Sequence, residues 1–244
     1  MNRDRSVSWL AEKQSSLHNC NPIDTSPHVL KRSFDRLFLM GVVHSSRPQS
    51  AVGGGSVAVA AGPHSAMWRR HIAEVLPNLW LGNREAACCL RLLQHIGVHA
   101  CINCTQDPSL HPDHFRYLHV NVSDTPETDL LPGHLSRVLS WITPHLKTGR
   151  TVLVYCQAGV SRSPTVVLGL LMHLTDMSLI DAWAHVKRIR PAIKPNAGFC
   201  QQLCDHERLL RGCNSAVVDR RRHACLIPSH GYGPSSALPS SRIV

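Results

Sequence analysis

Apolar residues along the chain fall into runs of two spacings, and the alternation between them is confined to the middle. Residues 73–76 and 79–81 are short apolar-rich runs about Pro77-Asn78, which predicts two strands joined by a tight turn. Asn83 is placed to cap a helix reaching about His95, with Ala86, Cys89, Leu90 and Leu93 on its buried side and Gly97 stopping it. Strands are expected over 98–103 and 117–122, and a helix over 131–147 whose end Pro144 should kink or cut short. The run Thr151-Val152-Leu153-Val154-Tyr155 is apolar or β-branched throughout, as a central strand covered on both faces should be. Helical spacing then recurs over 163–175, 178–189 and 196–210. Strands interleaved with helices in this order predict an α/β fold, a central sheet flanked by helices.

The flanks lack that texture. Residues 1–68 are rich in Ser, Pro, Gly and His and contain Gly53-Gly54-Gly55, which reads as a disordered leader. Residues 213–244 return to polar, Pro- and Ser-rich sequence and read as a disordered basic tail, leaving 69–212 as the folded domain. Charge supports the division: the chain carries 26 Lys and Arg against 16 Asp and Glu, yet residues 71–212 hold 13 basic and 11 acidic side chains. The surplus therefore sits in the tails, and a nucleic-acid site, which concentrates positive charge on a folded face, is disfavoured. No apolar run approaches the roughly 20 residues of a membrane span. The ten cysteines are scattered, and Arg3, Asp4 and Arg5 occupy the N-terminus without an apolar signal core, so free thiols in the cytoplasm are expected. Arg220-Arg221-Arg222-His223 is a short candidate nuclear import signal.

The segment that carries chemistry follows the central strand. Cys156 is succeeded by Gln157, Ala158, Gly159, Val160 and Ser161, then by Arg162-Ser163-Pro164 at the opening of a helix. Such a turn aims successive backbone N–H groups inward, and with the positive helix terminus they make a cradle for an anion. Arg162 adds a planar fork that matches two phosphate oxygens. A thiol at the bottom of that cradle is drawn toward its thiolate, which makes Cys156 a candidate nucleophile aimed at a bound phosphate.

Cys-x5-Arg-Ser after a strand is the signature of the cysteine-dependent protein tyrosine phosphatases, and Ala158-Gly159-Val160-Ser161-Arg162-Ser163 resembles their dual-specificity branch. Leu76-Pro77-Asn78-Leu79-Trp80-Leu81-Gly82 is similar to the opening strand motif of that branch, Ile102-Asn103 stands where its second strand ends, and residues 190–199 resemble its C-terminal turn and helix start. The resemblance implies a protein tyrosine phosphatase-like fold with a mostly parallel sheet. It also implies a two-step reaction through a phosphocysteine on Cys156, with residues 157–162 binding phosphate and no metal or other cofactor. The family's general acid is an aspartate about thirty residues before the cysteine. Asp124, 32 positions upstream, is the candidate here, with Glu127 and Asp129 as neighbouring rivals. Ser163 stands at the family position whose hydroxyl meets the cysteine sulfur, and it is also a plausible plain helix cap.

One position departs from the family pattern: Tyr155 precedes the cysteine where histidine is usual, which predicts an enzyme of reduced turnover. The alternatives are a phosphoprotein-binding pseudophosphatase and a MAP kinase-docking scaffold. The second rests on Lys31-Arg32 followed by Leu37 and Leu39, a basic pair and an alternating apolar pair that resemble kinase docking peptides. Phosphoprotein substrates are implied, phosphotyrosine together with phosphoserine and phosphothreonine, because no long insertion deepens the pocket. The loop interior has no lysine to meet a phosphoinositide headgroup. Cys101-x2-Cys104 lies in a strand without a second ligand pair and reads as packing. Some relatives protect the nucleophile in a disulfide with a neighbouring cysteine, and by that resemblance Cys104 is the candidate here.

Overall fold

The computed structural model describes residues 68–219 and 225–229. The docking-peptide residues Lys31, Arg32, Leu37 and Leu39 and the basic run 220–223 lie outside them. Strands β1 (Ile72–Leu76) and β2 (Leu79–Asn83) form a hairpin about Asn78, whose φ of 65° supplies the turn. Then come α1 (Arg84–Cys88), α2 (Leu90–His95), β3 (Val98–Asn103), β4 (Arg116–His119), α3 (Leu131–Lys147) and β5 (Thr151–Cys156). Three helices complete the domain: α4 (Arg162–Leu174), α5 (Leu179–Ile189) and α6 (Ala197–Arg211). The sheet runs β1-β2-β5-β3-β4, antiparallel at β1/β2 and parallel elsewhere. The expected α/β fold with a mostly parallel sheet is therefore present.

β5 is the middle strand, hydrogen-bonded on both sides, and all six of its residues are buried. Alternation along it divides the core. Val152, Val154 and Cys156 face the larger cluster made with α3, α4, α5 and α6, whereas Leu153 and Tyr155 face a smaller one with Ile72, Ala86, Ala87, Leu93 and Phe115. α4 is buried over ten of its residues, as an apolar helix at the centre of a layer must be. A parallel strand of this kind delivers its carboxyl end to a crevice at the sheet edge, which is where Cys156 stands.

Four sequence expectations need correction. The helix begun by Asn83 is two helices, because the chain turns at Cys89, whose φ and ψ of −85° and 87° are not helical; Cys89 and Leu90 are half-buried rather than core. β4 ends at His119 rather than continuing to residue 122. Pro144 does not stop α3, since a proline near the C-terminal turn forfeits a single backbone bond and the helix runs on to Lys147. The disordered tail does not begin at 213: Ala216–Asp219 (β6) and Cys225–Pro228 (β7) pair antiparallel. That hairpin is anchored by Glu207, fully buried, which accepts from Ser215 N (2.8 Å), Ser215 Oγ (2.6 Å) and Leu179 N (2.7 Å). Ala216 and Leu226 complete its burial against the domain.

Candidate active site

The loop from Gln157 to Ser161 is shaped by what holds its carbonyls. Gln157 O accepts from Arg84 N at 3.1 Å, and Val160 O from Lys194 N at 2.7 Å. Arg190 donates through Nη2 to Ala158 O (3.4 Å) and through Nε to Gly159 O (3.1 Å). Ser161 O accepts from Thr165 N at 3.1 Å and Thr165 Oγ1 at 2.8 Å. Every carbonyl from 157 to 161 is thus drawn to a partner outside the turn. In a trans peptide the N–H points opposite its C=O, so the amides of residues 158 to 162 are directed to the inside. Gly159 is needed twice over: its φ is +66°, and a Cβ there would lie 2.7 Å from both Arg190 Nη2 and Gly82 O.

Cys156, buried at the end of β5, lies at the base of this loop, and Ser163 Oγ donates to its sulfur at 3.2 Å. Arg162 Nη1 donates to Val122 O at 3.3 Å, while its Nε is buried with no hydrogen-bond partner and lies 3.6 Å from Asp124 Oδ2. Asp124 Oδ1 accepts from Ser161 Oγ at 2.6 Å and from Asn196 Nδ2 at 3.0 Å. A thiol, a guanidinium, a ring of amides and a carboxylate therefore converge at one edge of the sheet. That set can hold a tetrahedral oxyanion against a sulfur, with a proton-carrying group facing it.

Residues 79–209 match the family model for the dual specificity phosphatase catalytic domain. The chain belongs to the dual specificity phosphatases. Mouse dual specificity protein phosphatase 14 is 36% identical over 148 residues, covering 60% of this chain and 74% of the mouse protein. The structure of human DUSP28 superposes with a TM-score of 0.55 at 35% identity, covering 57% of this chain and 94% of DUSP28. A mouse chain described as a dual specificity phosphatase, complexed with zinc tungstate, superposes with a TM-score of 0.55 at 32% identity, covering 67% of this chain and 96% of its own.

In this dual specificity phosphatase the structure brings Cys156, Arg162, Ser163 and Asp124 together, with residues 157–161 around them. The rivals Glu127 and Asp129 are exposed further along the loop that carries Asp124. Cys104 is fully buried in the same cluster as Cys156, and burial pushes its thiol well up, with the neighbouring Cys156 sulfur adding to the shift. It is held as a neutral thiol. Cys101 is pushed up to about 12 by burial as well, and among the described residues no group of three or more His, Cys, Asp or Glu is placed to hold a metal ion.

Two residues of the site carry no signal in the loop motif itself. Arg190 is a basic residue ahead of a proline, yet it is 3% exposed and supports two loop carbonyls. Asn196 caps α6, accepting from Phe199 N at 3.0 Å, and the same side chain also reaches Asp124. The sequence placed Asn196 only at the start of a helical stretch, and the fold supplies both contacts.

Tyr155 faces the opposite side of the sheet from Cys156, so it touches the site through its backbone: its carbonyl accepts from Cys104 N at 2.8 Å. Its hydroxyl is buried without a hydrogen-bond partner, and burial raises its pKa, with Tyr117 and Cys101 adding smaller contributions. An unpartnered buried hydroxyl costs about 1–3 kcal/mol. Tyr155→Phe is therefore expected to leave kcat unchanged and to raise the thermal midpoint by roughly 2–4 °C, using about 1 kcal/mol as the gain. A lowered midpoint in calorimetry would show that the hydroxyl has a partner in solution.

Proposed function

We propose that this phosphatase hydrolyses phosphotyrosine and phosphoserine or phosphothreonine in proteins through a phosphocysteine on Cys156. The observation that carries the reading is the set of outward-held carbonyls over residues 157–161, which turns five amides toward the Cys156 sulfur. The tungstate reported with the mouse relative is a tetrahedral oxyanion of the shape such a ring accommodates. The thiolate attacks phosphorus while Asp124 protonates the departing alcohol. Water, deprotonated by Asp124, then attacks the phosphocysteine and releases inorganic phosphate and the thiolate. Arg162 and the amides of 158–162 hold the three equatorial oxygens, and the buried Arg162 Nε is a donor suited to one of them. Ser163 donates to the sulfur and stabilises it as a leaving group in the second step.

The full set Cys156, Arg162, Ser163 and Asp124 favours catalysis over a phosphoprotein-binding role. Tyr155 in place of histidine tempers it: a tyrosine directed to the far side of the sheet supplies no positive charge to the loop. Rapid quenching with saturating phosphotyrosine peptide, followed by peptide mass spectrometry, tests the mechanism. Phosphate is expected on Cys156. Steady phosphate release with Cys156 unmodified, and the label on another residue, would overturn it. A parallel panel of phosphoserine and phosphothreonine peptides reads the specificity.

A further inference from the structure

The loop that carries Asp124 is fastened to α6 at three successive points. Asn196, the cap, donates to Asp124 Oδ1 at 3.0 Å. At Gly198 the backbones meet so closely that a Cβ would fall 1.8 Å from Pro126 O. Gln202, one helical turn beyond Gly198 on the same face, donates through Nε2 to Thr128 O at 2.7 Å and accepts through Oε1 from Leu130 N and Leu131 N, each at 3.0 Å. Within the loop Thr128 N donates to Thr125 O at 3.1 Å, and its far end is sealed by Leu130 and Leu131, both buried. Gln202 thus satisfies three backbone groups, Thr128 O within a connection that has no secondary structure of its own, and the N–H groups of Leu130, the cap of α3, and Leu131, its first residue. No other side chain reaches so many backbone groups between Asp124 and Leu131 among the contacts described.

We propose that Gln202 is a positioning residue for proton transfer, holding the 124–131 connection on α6 so that Asp124 stays beside Arg162 and Ser161. The inference rests on Asp124 being the general acid and adds to it a distant support. Its physical content is that a loop fixed at Thr128, Leu130 and Leu131 has little freedom at Asp124. Freed there, the carboxyl samples positions from which the leaving oxygen is out of reach. Displacement by about 1 Å is enough to cost on the order of 10²-fold in rate.

Full-length Gln202→Ala, Gln202→Glu, Asp124→Asn and the double variant Gln202→Ala/Asp124→Asn are compared on two aryl phosphates, one with a good and one with a poor leaving group. Proton donation matters most for the poor one. Gln202→Ala is expected to lower kcat/KM on the poor leaving group roughly 10- to 100-fold, and on the good one several-fold less. Gln202→Glu, which keeps the acceptor for Leu130 and Leu131 but loses the donor to Thr128, should recover part of the loss. In the Asp124→Asn background Gln202→Ala should add nothing to the leaving-group dependence, since both act on one proton. Equal losses on the two substrates, or additive losses in the double variant, overturn the proposal and leave Gln202 a stabilising contact only. If Asp124→Asn does not itself steepen the leaving-group dependence, the assignment of the acid has failed and the positioning role falls with it.

Discussion

Cys156→Ser is expected to abolish turnover, by on the order of 10⁵-fold or more, the scale on which removal of an enzyme's nucleophile acts. The substitution is close to isosteric, and the position is buried at the end of β5, so the fold and the outward-held carbonyls of 157–161 should persist. What changes is acidity. A serine hydroxyl ionises far less readily than a thiol, so a base would have to take its proton. The side chain that contacts the sulfur here is Ser163, which donates rather than accepts. Cys104, the nearby thiol, is kept neutral by burial and cannot serve as that base. The amides and Arg162 are untouched, so tungstate affinity measured by calorimetry should stay within several-fold of wild type. A serine variant that retains even a hundredth of the wild-type rate would remove the thiolate from the mechanism. A variant that loses tungstate binding together with turnover would show that the sulfur, not the amide ring, holds the anion.

How far the sequence carried depends on whether an interaction was local. β5 was legible because residues 151–155 are apolar or β-branched without a break, and Cys156, Arg162 and Ser163 followed because they lie within eight residues of one another about the end of that strand and the start of a helix. The candidacy of Asp124 rested only on spacing and resemblance. Its partners Ser161 and Asn196 are 37 and 72 residues away, separations at which no periodicity speaks. The C-terminal hairpin was missed for a related reason. Its strands are four residues each, shorter than a pattern of alternation needs to declare itself. Its anchor is a buried glutamate on α6, a residue type that sequence reasoning places on the surface. The break at Cys89 escaped because Cys and Leu there keep a helical spacing that the backbone does not follow.

Arg190 supplies the second large effect, which falls on stability or on turnover according to whether the loop keeps its shape. The guanidinium is 3% exposed and donates to Arg70 O at 2.8 Å, Ala158 O at 3.4 Å and Gly159 O at 3.1 Å. Burial pulls its pKa down, and the neighbouring Cys156 sulfur opposes that pull, which places a second positive charge behind the loop in addition to Arg162. Arg190→Met preserves most of the volume but leaves those carbonyls without donors. If the loop holds its shape, buried acceptors go unsatisfied and the destabilisation is about 3–5 kcal/mol, a large part of the roughly 5–15 kcal/mol of a whole domain. If instead the peptides after Ala158 and Gly159 rotate to find water, two of the five inward amides are lost. Each such donor is worth about 10²-fold or more in rate, so the loss of two should lower kcat by about 10⁴-fold if they act independently. Either route is large, and the two are separable: the first appears as a lowered unfolding midpoint, the second as a near-normal midpoint with lost turnover and lost tungstate binding. Arg190→Lys keeps the charge but not the fork that spans adjacent carbonyls, so it should fall between the two. A methionine variant close to wild type in both midpoint and kcat would mean that the loop holds its carbonyls outward without help. The geometry of 157–161 would then be a property of the turn itself and not of the arginine behind it.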